Sequence, residues 1–146
     1  MNYLAILLIS NITLFQQKGH FVQTKEVIVS IEETRVVITI PFEVEAGYHI
    51  QPNVVENSNM LATKVNFGKG FEMILQNQEF IIHQAHRLLL GEEELNTIKT
   101  FSVKVTLDKK EFYKLKSLKG TVFYQACNEQ KCFFPRELKF DIPLNQ

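Results

Sequence analysis

The stretch KEVIVSIEETRVVITIPFEV, residues 25–44, decides the fold class of this chain. Apolar, mostly β-branched residues alternate with polar ones on either side of the short segment EET, a pattern typical of two half-buried strands joined by a turn. It predicts a β-hairpin formed by residues 25–31 and 35–44. Pro41 lies within the second strand. Because proline cannot donate a ladder hydrogen bond, it predicts an edge position or a bulge there.

The same period-two pattern continues along the chain. Further strands are predicted at residues 62–67, 71–75, 97–107, 119–127 and 132–144, with small apolar segments at 80–82 and 87–90 and a polar loop at 53–59. Gly47 predicts a turn that delivers Tyr48 and His49 to one end of the sheet. Asp108, with a glutamate three residues on, predicts one or two helical turns within residues 108–116. Seven to nine short strands with almost no helix indicate an all-β, antiparallel β-sandwich.

Composition and charge narrow the functional classes. The 146 residues suit one domain, and 45% hydrophobic and 22% charged residues are normal for a globular protein. Sixteen basic residues balance sixteen acidic ones without a basic block, so nucleic acid is not an expected partner. No Gly-rich phosphate loop, G-x-S-x-G or paired-carboxylate motif is present. An enzyme with a small-molecule substrate therefore ranks third among the possible functions, behind electron transfer through a cysteine pair and a binding or structural role.

The N-terminal segment, residues 1–24, is set apart from a domain at 25–146. Its start, MNYLAILLISNITLF, is either the apolar part of a secretory signal or a first β-strand. It lacks the basic N-terminal residues and the A-x-A-like cleavage site that are typical of a signal peptide. No apolar run approaches the roughly 18 residues needed to cross a bilayer.

The only two cysteines lie in YQACNEQKCFFP, residues 124–135. Cys127 is predicted to end one strand and Cys132 to begin the next, with NEQK as the hairpin turn. Such a closing pair lies directly cross-strand and can form a disulfide. Closing so short a loop stabilises a fold by only about 2 kcal/mol, which makes a purely structural bond a weak explanation.

Two other interpretations of the pair stay open. A zinc site would need further ligands, and the four histidines all lie far from the cysteines in sequence: His20, His49, His83 and His86. No metal and no other cofactor is therefore predicted. A pair of inert, buried thiols is the plainest alternative. A redox-active pair is the favoured hypothesis.

The segment TVFYQACNEQKCFFPRELKFDIPL resembles the last two strands of the N-terminal domain of the thiol:disulfide interchange protein DsbD family. That family's pattern is YQ-x-C, a short loop, C-x-x-P and a final strand ending in V/I-P-L. The matching positions are Tyr124, Gln125, Cys127, Cys132, Pro135, Ile142, Pro143 and Leu144. Upstream, VVITIPFEVEAGYHIQP resembles the family's strand and G-Y turn, and QEFIIHQAHRLLLGEEEL with TIKTFSVKVTL resembles its loop region and the strand after it. The resemblance extends over residues 25–145.

The resemblance implies an immunoglobulin-like sandwich in the bacterial periplasm or otherwise outside the cytoplasm. In that family the hairpin cysteines take electrons from a thioredoxin-like domain and pass them to periplasmic oxidoreductases through mixed disulfides. This is a protein-disulfide reductase activity within electron transport and cytochrome c biogenesis. By the family's pattern, Cys132 forms the mixed disulfide and Cys127 resolves it. The main alternative is a non-redox binding or structural sandwich whose disulfide pins a loop.

The family's full-length protein also has a membrane domain and a thioredoxin-like domain, and these 146 residues include neither. The sequence is therefore expected to be an excised domain or a free-standing relative. Contact with the membrane is expected only through a partner or a missing domain.

The resemblance also suggests residues that cover or tune the pair. In the family a loop places an aromatic side chain, preceded by an acidic one, over the cysteines, and the best match is Glu79 followed by Phe80. Their ordinary roles would be a solvated carboxylate and a core aromatic.

Four residues nearer the pair are also candidates. Tyr48 could assist proton transfer, and His49 could act as an acid or base because its ordinary pKa lies near neutrality. Lys131 could favour a thiolate at Cys132. Tyr124 is a further tuning candidate, although it is expected, like Phe134, to pack at the end of the sheet.

Overall fold

The computed structural model describes residues 5–8, 20–52, 60–90 and 93–144, with side chains at 20–52, 60–84 and 97–144. Within these described residues, nine strands and two short helices follow one another: β1 (Ala5–Leu8), β2 (Val22–Thr24), β3 (Ile28–Ile31), β4 (Arg35–Val44), β5 (Lys64–Phe67), α1 (Lys69–Glu72), β6 (Leu75–Leu90), β7 (Glu93–Asp108), α2 (Lys109–Phe112), β8 (Ser117–Tyr124) and β9 (Arg136–Pro143). The loop predicted at 53–59 and most of the N-terminal segment lie outside the described residues.

The strands form two antiparallel sheets. The larger has the order β1-β3-β4-β7-β6, with β2 beside β4, and the smaller has the order β5-β8-β9. Aromatic rings join them through the core. Phe42 of β4 stacks on Phe101 of β7 at 4.9 Å and meets Phe140 of β9 edge-on at 5.7 Å. The predicted all-β, antiparallel sandwich is confirmed.

The β3–β4 hairpin forms as the alternation predicts. Glu32 and Arg35 close its turn, and Ile31 pairs with Val36. Along β4 the side chains that face the core are Val36, Ile38, Ile40, Phe42 and Val44. This strand anchors the larger sheet.

Of the two alternatives predicted for Pro41, an edge position or a bulge, the edge position is wrong, because β4 is an interior strand. Its partners on one side are β3, up to Thr39, and β2, from Phe42 onward. Pro41 lies in the gap between them, where its carbonyl accepts a hydrogen bond from the Lys25 N–H at 2.8 Å. No strand residue there requires the missing N–H of proline, so the sheet tolerates it.

The strand predicted at residues 71–75 is wrong. Residues 69–72 form the single turn α1, and Phe71 is buried against Phe67 at 5.1 Å between ring centroids. Its apolar character serves this contact rather than a strand. The small segments at 80–82 and 87–90 belong to one long strand, β6, which pairs with β7.

The helical turn predicted after Asp108 is confirmed, because the Asp108 side chain accepts a hydrogen bond from the Lys110 N–H at the start of α2. At the N-terminus, Ala5–Leu8 pairs with Ile28–Ile31. Among the described residues, no helix has the length and apolar character required to cross a membrane.

Candidate functional site

The two cysteines form a disulfide across the hairpin that links β8 to β9. Cys127 and Cys132 pair as an antiparallel bridge, with their Cα atoms 3.9 Å apart. The hydrogen bond from Asn128 N to Lys131 O inside the pair and that from Phe133 N to Ala126 O outside it have lengths of 2.9 and 2.8 Å. The predicted cross-strand pairing and its disulfide are confirmed, but the predicted strand ends are wrong, because β8 ends at Tyr124 and β9 begins at Arg136, so both cysteines lie in the segment between them.

The side chain of Asn128 makes hydrogen bonds within the turn. Its Oδ1 accepts hydrogen bonds from the N–H groups of Gln130 and Lys131, at 2.9 and 2.8 Å. Asparagine commonly stabilises tight turns in this way. Beside the turn, the Gln125 amide donates to the Phe133 carbonyl at 3.1 Å. The hairpin therefore has its own set of hydrogen bonds.

The two cysteines differ sharply in exposure. Cys127 is only 2% exposed, whereas Cys132 is exposed to solvent. Phe134, two residues beyond Cys132, is 91% exposed. The expectation that Phe134 packs at the sheet end is therefore wrong. The site therefore has one exposed cysteine and one exposed aromatic residue, and its other cysteine is buried.

The turn at Gly47 brings His49 to the cysteines. Gly47 has a positive φ of 88°, which glycine adopts readily, and Tyr48 N donates to Glu45 O at 3.1 Å. His49 and Cys127 then exchange two backbone hydrogen bonds of 2.9 Å. Directly opposed residues in an antiparallel pair point to the same face, so the imidazole lies on the side of the disulfide.

The environment of His49 favours the neutral imidazole. Burial of the ring lowers the pKa of His49 below its ordinary value, and the positive charge of Lys99 lowers it further. Lys99 itself donates to the Tyr48 carbonyl. A neutral imidazole beside Cys127 can accept a proton from a thiol.

Gln51 is a site residue that the sequence analysis missed. It is fully buried, and its Nε2 donates a hydrogen bond to Cys127 Sγ at 3.8 Å. The available signal was the alternation after Gly47, which places Gln51 on the same face as His49. What the sequence could not show is that this face meets Cys127.

An aromatic cluster supports the hairpin from one side. Phe21, Tyr48 and Phe133 lie within 4.3 to 5.7 Å of one another, measured between ring centroids. Two cations cover its surfaces, with Arg136 at 4.6 Å from Phe21 and Lys131 at 4.9 Å from Phe133. Tyr48 thus lies beside the cysteine hairpin and Lys131 lies within its turn, and both contact the Phe133 ring.

Tyr124 fills the end of the core, as expected. It is fully buried, and its hydroxyl accepts a hydrogen bond from the Phe21 N–H at 3.1 Å and lies 3.4 Å from His20 Nδ1. Burial raises the pKa of Tyr124 above its ordinary value. The hydroxyl ties the segment that carries Phe21 to the last residue of β8.

Glu79 and Phe80 lie elsewhere. Phe80 pairs with Val103 on β7 and its ring stacks on Phe101 at 4.9 Å. Ile98, the β7 residue that bridges to Ile50 next to His49, is five residues away along the strand, or about 16 Å. Glu79 accepts a hydrogen bond from the Asn77 amide. The structure does not bring the predicted cap residues to the disulfide.

The described residues offer no metal centre. Among them, no group of three or more His, Cys, Asp or Glu side chains is arranged to hold a metal ion.

Comparisons with known proteins add one distant match. No protein-family model matches the chain, and no curated protein matches it. Among solved structures, the N-terminal domain of DsbD from Neisseria meningitidis, in the reduced form, is 16% identical and has a TM-score of 0.43. The match covers 81% of this chain and 83% of that one. It is a distant similarity that concerns the fold and shows nothing of the function.

Proposed function

We propose that this chain is a thiol–disulfide exchange module that passes electrons between proteins through Cys127 and Cys132. The unequal exposure of the two cysteines carries the proposal, since the residue Cys132 is exposed to solvent and Cys127 is 2% exposed. Exchange requires a thiolate to reach a disulfide sulfur, and access decides which sulfur it attacks. The geometry favours a mixed disulfide at Cys132, with Cys127 as the resolving thiol.

The organisation of the turn favours exchange over a structural bond. Asn128 accepts two turn hydrogen bonds, and backbone hydrogen bonds flank the cysteine pair. Closing a loop with cysteines five positions apart adds only about 2 kcal/mol by the chain-entropy estimate. A bond that contributes so little to stability is free to open and close in an intact fold.

Electron transfer then takes two balanced steps in each direction. A donor thiolate attacks Cys132 Sγ, the disulfide breaks, and Cys127 leaves as a thiolate. The donor's second thiolate attacks the donor sulfur of the mixed disulfide, which releases the Cys132 thiolate and leaves the donor oxidised. When the reduced module meets an acceptor disulfide, Cys132 attacks it and Cys127 resolves the mixed disulfide, so the acceptor gains two electrons.

His49 fits the role of proton acceptor in the resolving step. Cys127 must lose its proton before it attacks the mixed disulfide, because the thiolate is the nucleophile. His49 lies directly across from Cys127, and its lowered pKa keeps the imidazole neutral near pH 7. A neutral imidazole in this position can take the proton.

Phe134 gives a partner a point of contact. An aromatic ring that is 91% exposed and two residues from the reactive sulfur has the chemistry of an interface anchor. We propose a thioredoxin-like domain as the electron donor and periplasmic oxidoreductases as acceptors, in an extracytoplasmic compartment. The sequence resemblance over residues 25–145 supports these partners and this location.

The first experiment is a redox titration. The oxidised protein is equilibrated in a series of glutathione buffers, free thiols are trapped with a maleimide, and the labelled fraction is measured by mass. A two-electron transition at a potential above about −300 mV, in a protein whose circular dichroism stays native, is expected. A disulfide that resists reduction until the fold melts would contradict the proposal and favour a structural or binding domain.

Two matched variants test which sulfur reacts. Cys127→Ser leaves the exposed thiol and Cys132→Ser leaves the buried one. With oxidised glutathione, Cys127→Ser is expected to gain one glutathione adduct quickly, and Cys132→Ser slowly. Equal rates would contradict the assignment of Cys132 as the entry point.

A further inference from the structure

The carboxamide of Gln51 lies against the buried sulfur of the disulfide. We propose that Gln51 is the hydrogen-bond donor that stabilises the Cys127 thiolate released when an incoming thiolate attacks Cys132. The inference rests on the proposed function and gives that function a specific internal residue. It concerns the leaving sulfur, whereas partner binding concerns the exposed one.

The backbone fixes the position of Gln51. Its carbonyl accepts a hydrogen bond from the Thr63 N–H at 2.9 Å, and Gln51 bridges to Ala62. Ile50, the preceding residue, exchanges backbone hydrogen bonds with Ile98 of β7. The fully buried side chain therefore extends from a fixed point, with Nε2 at 3.8 Å from Cys127 Sγ.

A purely structural role does not account for this amide. Gln51 Oε1 is buried and has no hydrogen-bond partner within the part of the chain that the structure describes. Gln125, in the same hairpin, is a glutamine with a structural role, because both its donor and its acceptor are used in hydrogen bonds. Its Nε2 donates to the Phe133 carbonyl and its Oε1 accepts from the Leu61 N–H, at 3.1 and 3.0 Å. Gln51 instead directs its donor at a sulfur and leaves its acceptor unpaired.

The reaction explains why a donor is useful at this place. When a partner thiolate attacks Cys132 Sγ, a new S–S bond forms to the partner and the Cys127–Cys132 bond breaks. The electron pair of that bond stays on the Sγ of Cys127, a residue that is only 2% exposed, so the thiolate receives little stabilisation from water. A hydrogen bond to an anionic acceptor is about twice as strong as one between neutral groups. The contact with Gln51 therefore strengthens as the thiolate forms, which lowers the barrier to its departure.

Three charged or titratable groups also lie around the cysteine hairpin. His49 faces Cys127 across the bridge, Lys99 donates to the Tyr48 carbonyl, and Lys131 lies over the Phe133 ring. Gln51 differs from all three because it carries no charge at any pH. Its effect on Cys127 should persist at high salt, where exposed charges are screened.

The test measures how readily Cys127 ionises. In the Cys132→Ser background Cys127 is the sole thiol, and its thiolate is followed by ultraviolet absorbance against pH at high salt. Gln51→Leu is expected to leave about tenfold less thiolate at a given pH on the rising part of the curve. The matched control Gln125→Leu should lower the melting temperature without moving the curve. An unmoved curve for Gln51→Leu, or an equal shift in both variants, would overturn the inference.

A second measurement needs no substitution at Gln51. In the Cys132→Ser protein labelled with nitrogen-15, the side-chain amide protons of Gln51 are expected to shift with the same pH midpoint as the thiolate absorbance. Amide signals that stay fixed through the transition would overturn the inference, even if Gln51→Leu does not fold. Neither measurement involves a redox partner, so a failure of this inference can be told apart from a failure of the proposed function, which the glutathione titration tests.

Discussion

Two hairpins of this molecule are stabilised by different interactions. In the β3–β4 hairpin, alternate side chains of β4 are buried in the core, with Ile38 and Ile40 fully inaccessible to solvent. In the cysteine hairpin, residues 124–136, the turn is ordered by Asn128 and by backbone hydrogen bonds, while Cys132 and Phe134 face outward. Burial holds the first, whereas the turn of the second, beyond the buried Tyr124 and Cys127, is held by local hydrogen bonds.

The difference separates stability from function. A hairpin held by burial loses stability when its side chains are shortened, because the cavity is only partly refilled. A hairpin held by local hydrogen bonds can expose reactive groups at small cost in stability. This division predicts which substitutions weaken the fold and which ones alter only the chemistry.

The largest expected effect on stability is at β4. Ile40→Ala removes a fully buried side chain and is expected to lower the free energy of unfolding by about 2–5 kcal/mol. Ile28→Ala, on the adjacent β3, is the matched control, because Ile28 is 42% exposed and should lose far less. Urea unfolding of the oxidised proteins measures both. Similar losses in the two variants would show that burial does not organise this hairpin.

A smaller loss is expected when the disulfide is removed. The double variant Cys127→Ala and Cys132→Ala should lower the free energy of unfolding by about 2 kcal/mol, since the loop that the bond closes is short. Asn128→Ala, which removes the acceptor of two turn hydrogen bonds, should cost about 1 kcal/mol. Urea unfolding again gives the values. A loss above about 4 kcal/mol for the cysteine variant would make the bond a structural one and remove the contrast between the hairpins.

The sequence predicts the fold and the cysteine hairpin because both depend on local patterns. Alternation locates β4 and most of β7, and the turn chemistry of Gly47 and Asp108 marks a turn and a helix start. The cross-strand placement of Cys127 and Cys132 follows from the length of their turn. These features need only short-range information.

The surroundings of Cys127 could not be predicted in the same way. Gln51 lies 76 positions from Cys127 in the chain, and their contact depends on how the segment after Gly47 packs against the hairpin. The family pattern indicated Phe80 as a cap, yet its register in β6 opposite Val103 places it near Phe101. Phe134 was expected to pack at the end of the sheet, and only the fold shows that it is exposed.

The exposed ring of Phe134 allows a test of partner recognition that leaves stability almost unchanged. Phe134→Ala is expected to alter the free energy of unfolding by less than about 0.5 kcal/mol. Reduction of the disulfide by a reduced thioredoxin should slow by up to roughly tenfold, as expected for loss of an aromatic interface anchor. Reduction by dithiothreitol, which needs no protein interface, should keep its rate.

Tyr113→Ala provides the control for this comparison. Tyr113 is half exposed and follows α2, near the end of β7 opposite to Ile98. Its removal should leave both reduction rates unchanged. If Phe134→Ala also slows the reduction of the disulfide by dithiothreitol, the ring shapes the hairpin itself and does not contact the partner.

The smallest expected effect is a pH dependence that originates at His49. Its folded-state pKa lies below the ordinary value of 6.5, first because of burial and second because of the charge of Lys99. The unfolded chain therefore takes up the proton at a higher pH than the folded one, and acidification below about pH 6.5 favours unfolding. The stabilising contribution is present above that pH and is lost as the pH falls.

Urea unfolding at several pH values between about 5 and 8 should show that the free energy of unfolding declines with falling pH in the wild type and declines less in His49→Gln. His83→Gln, which alters a histidine on β6 that contacts Ser102, should retain the wild-type decline. Parallel curves for the wild type and His49→Gln would mean that the imidazole beside Cys127 ionises as it does in the unfolded chain. It would then be partly protonated near pH 7 and less able to accept the proton of Cys127.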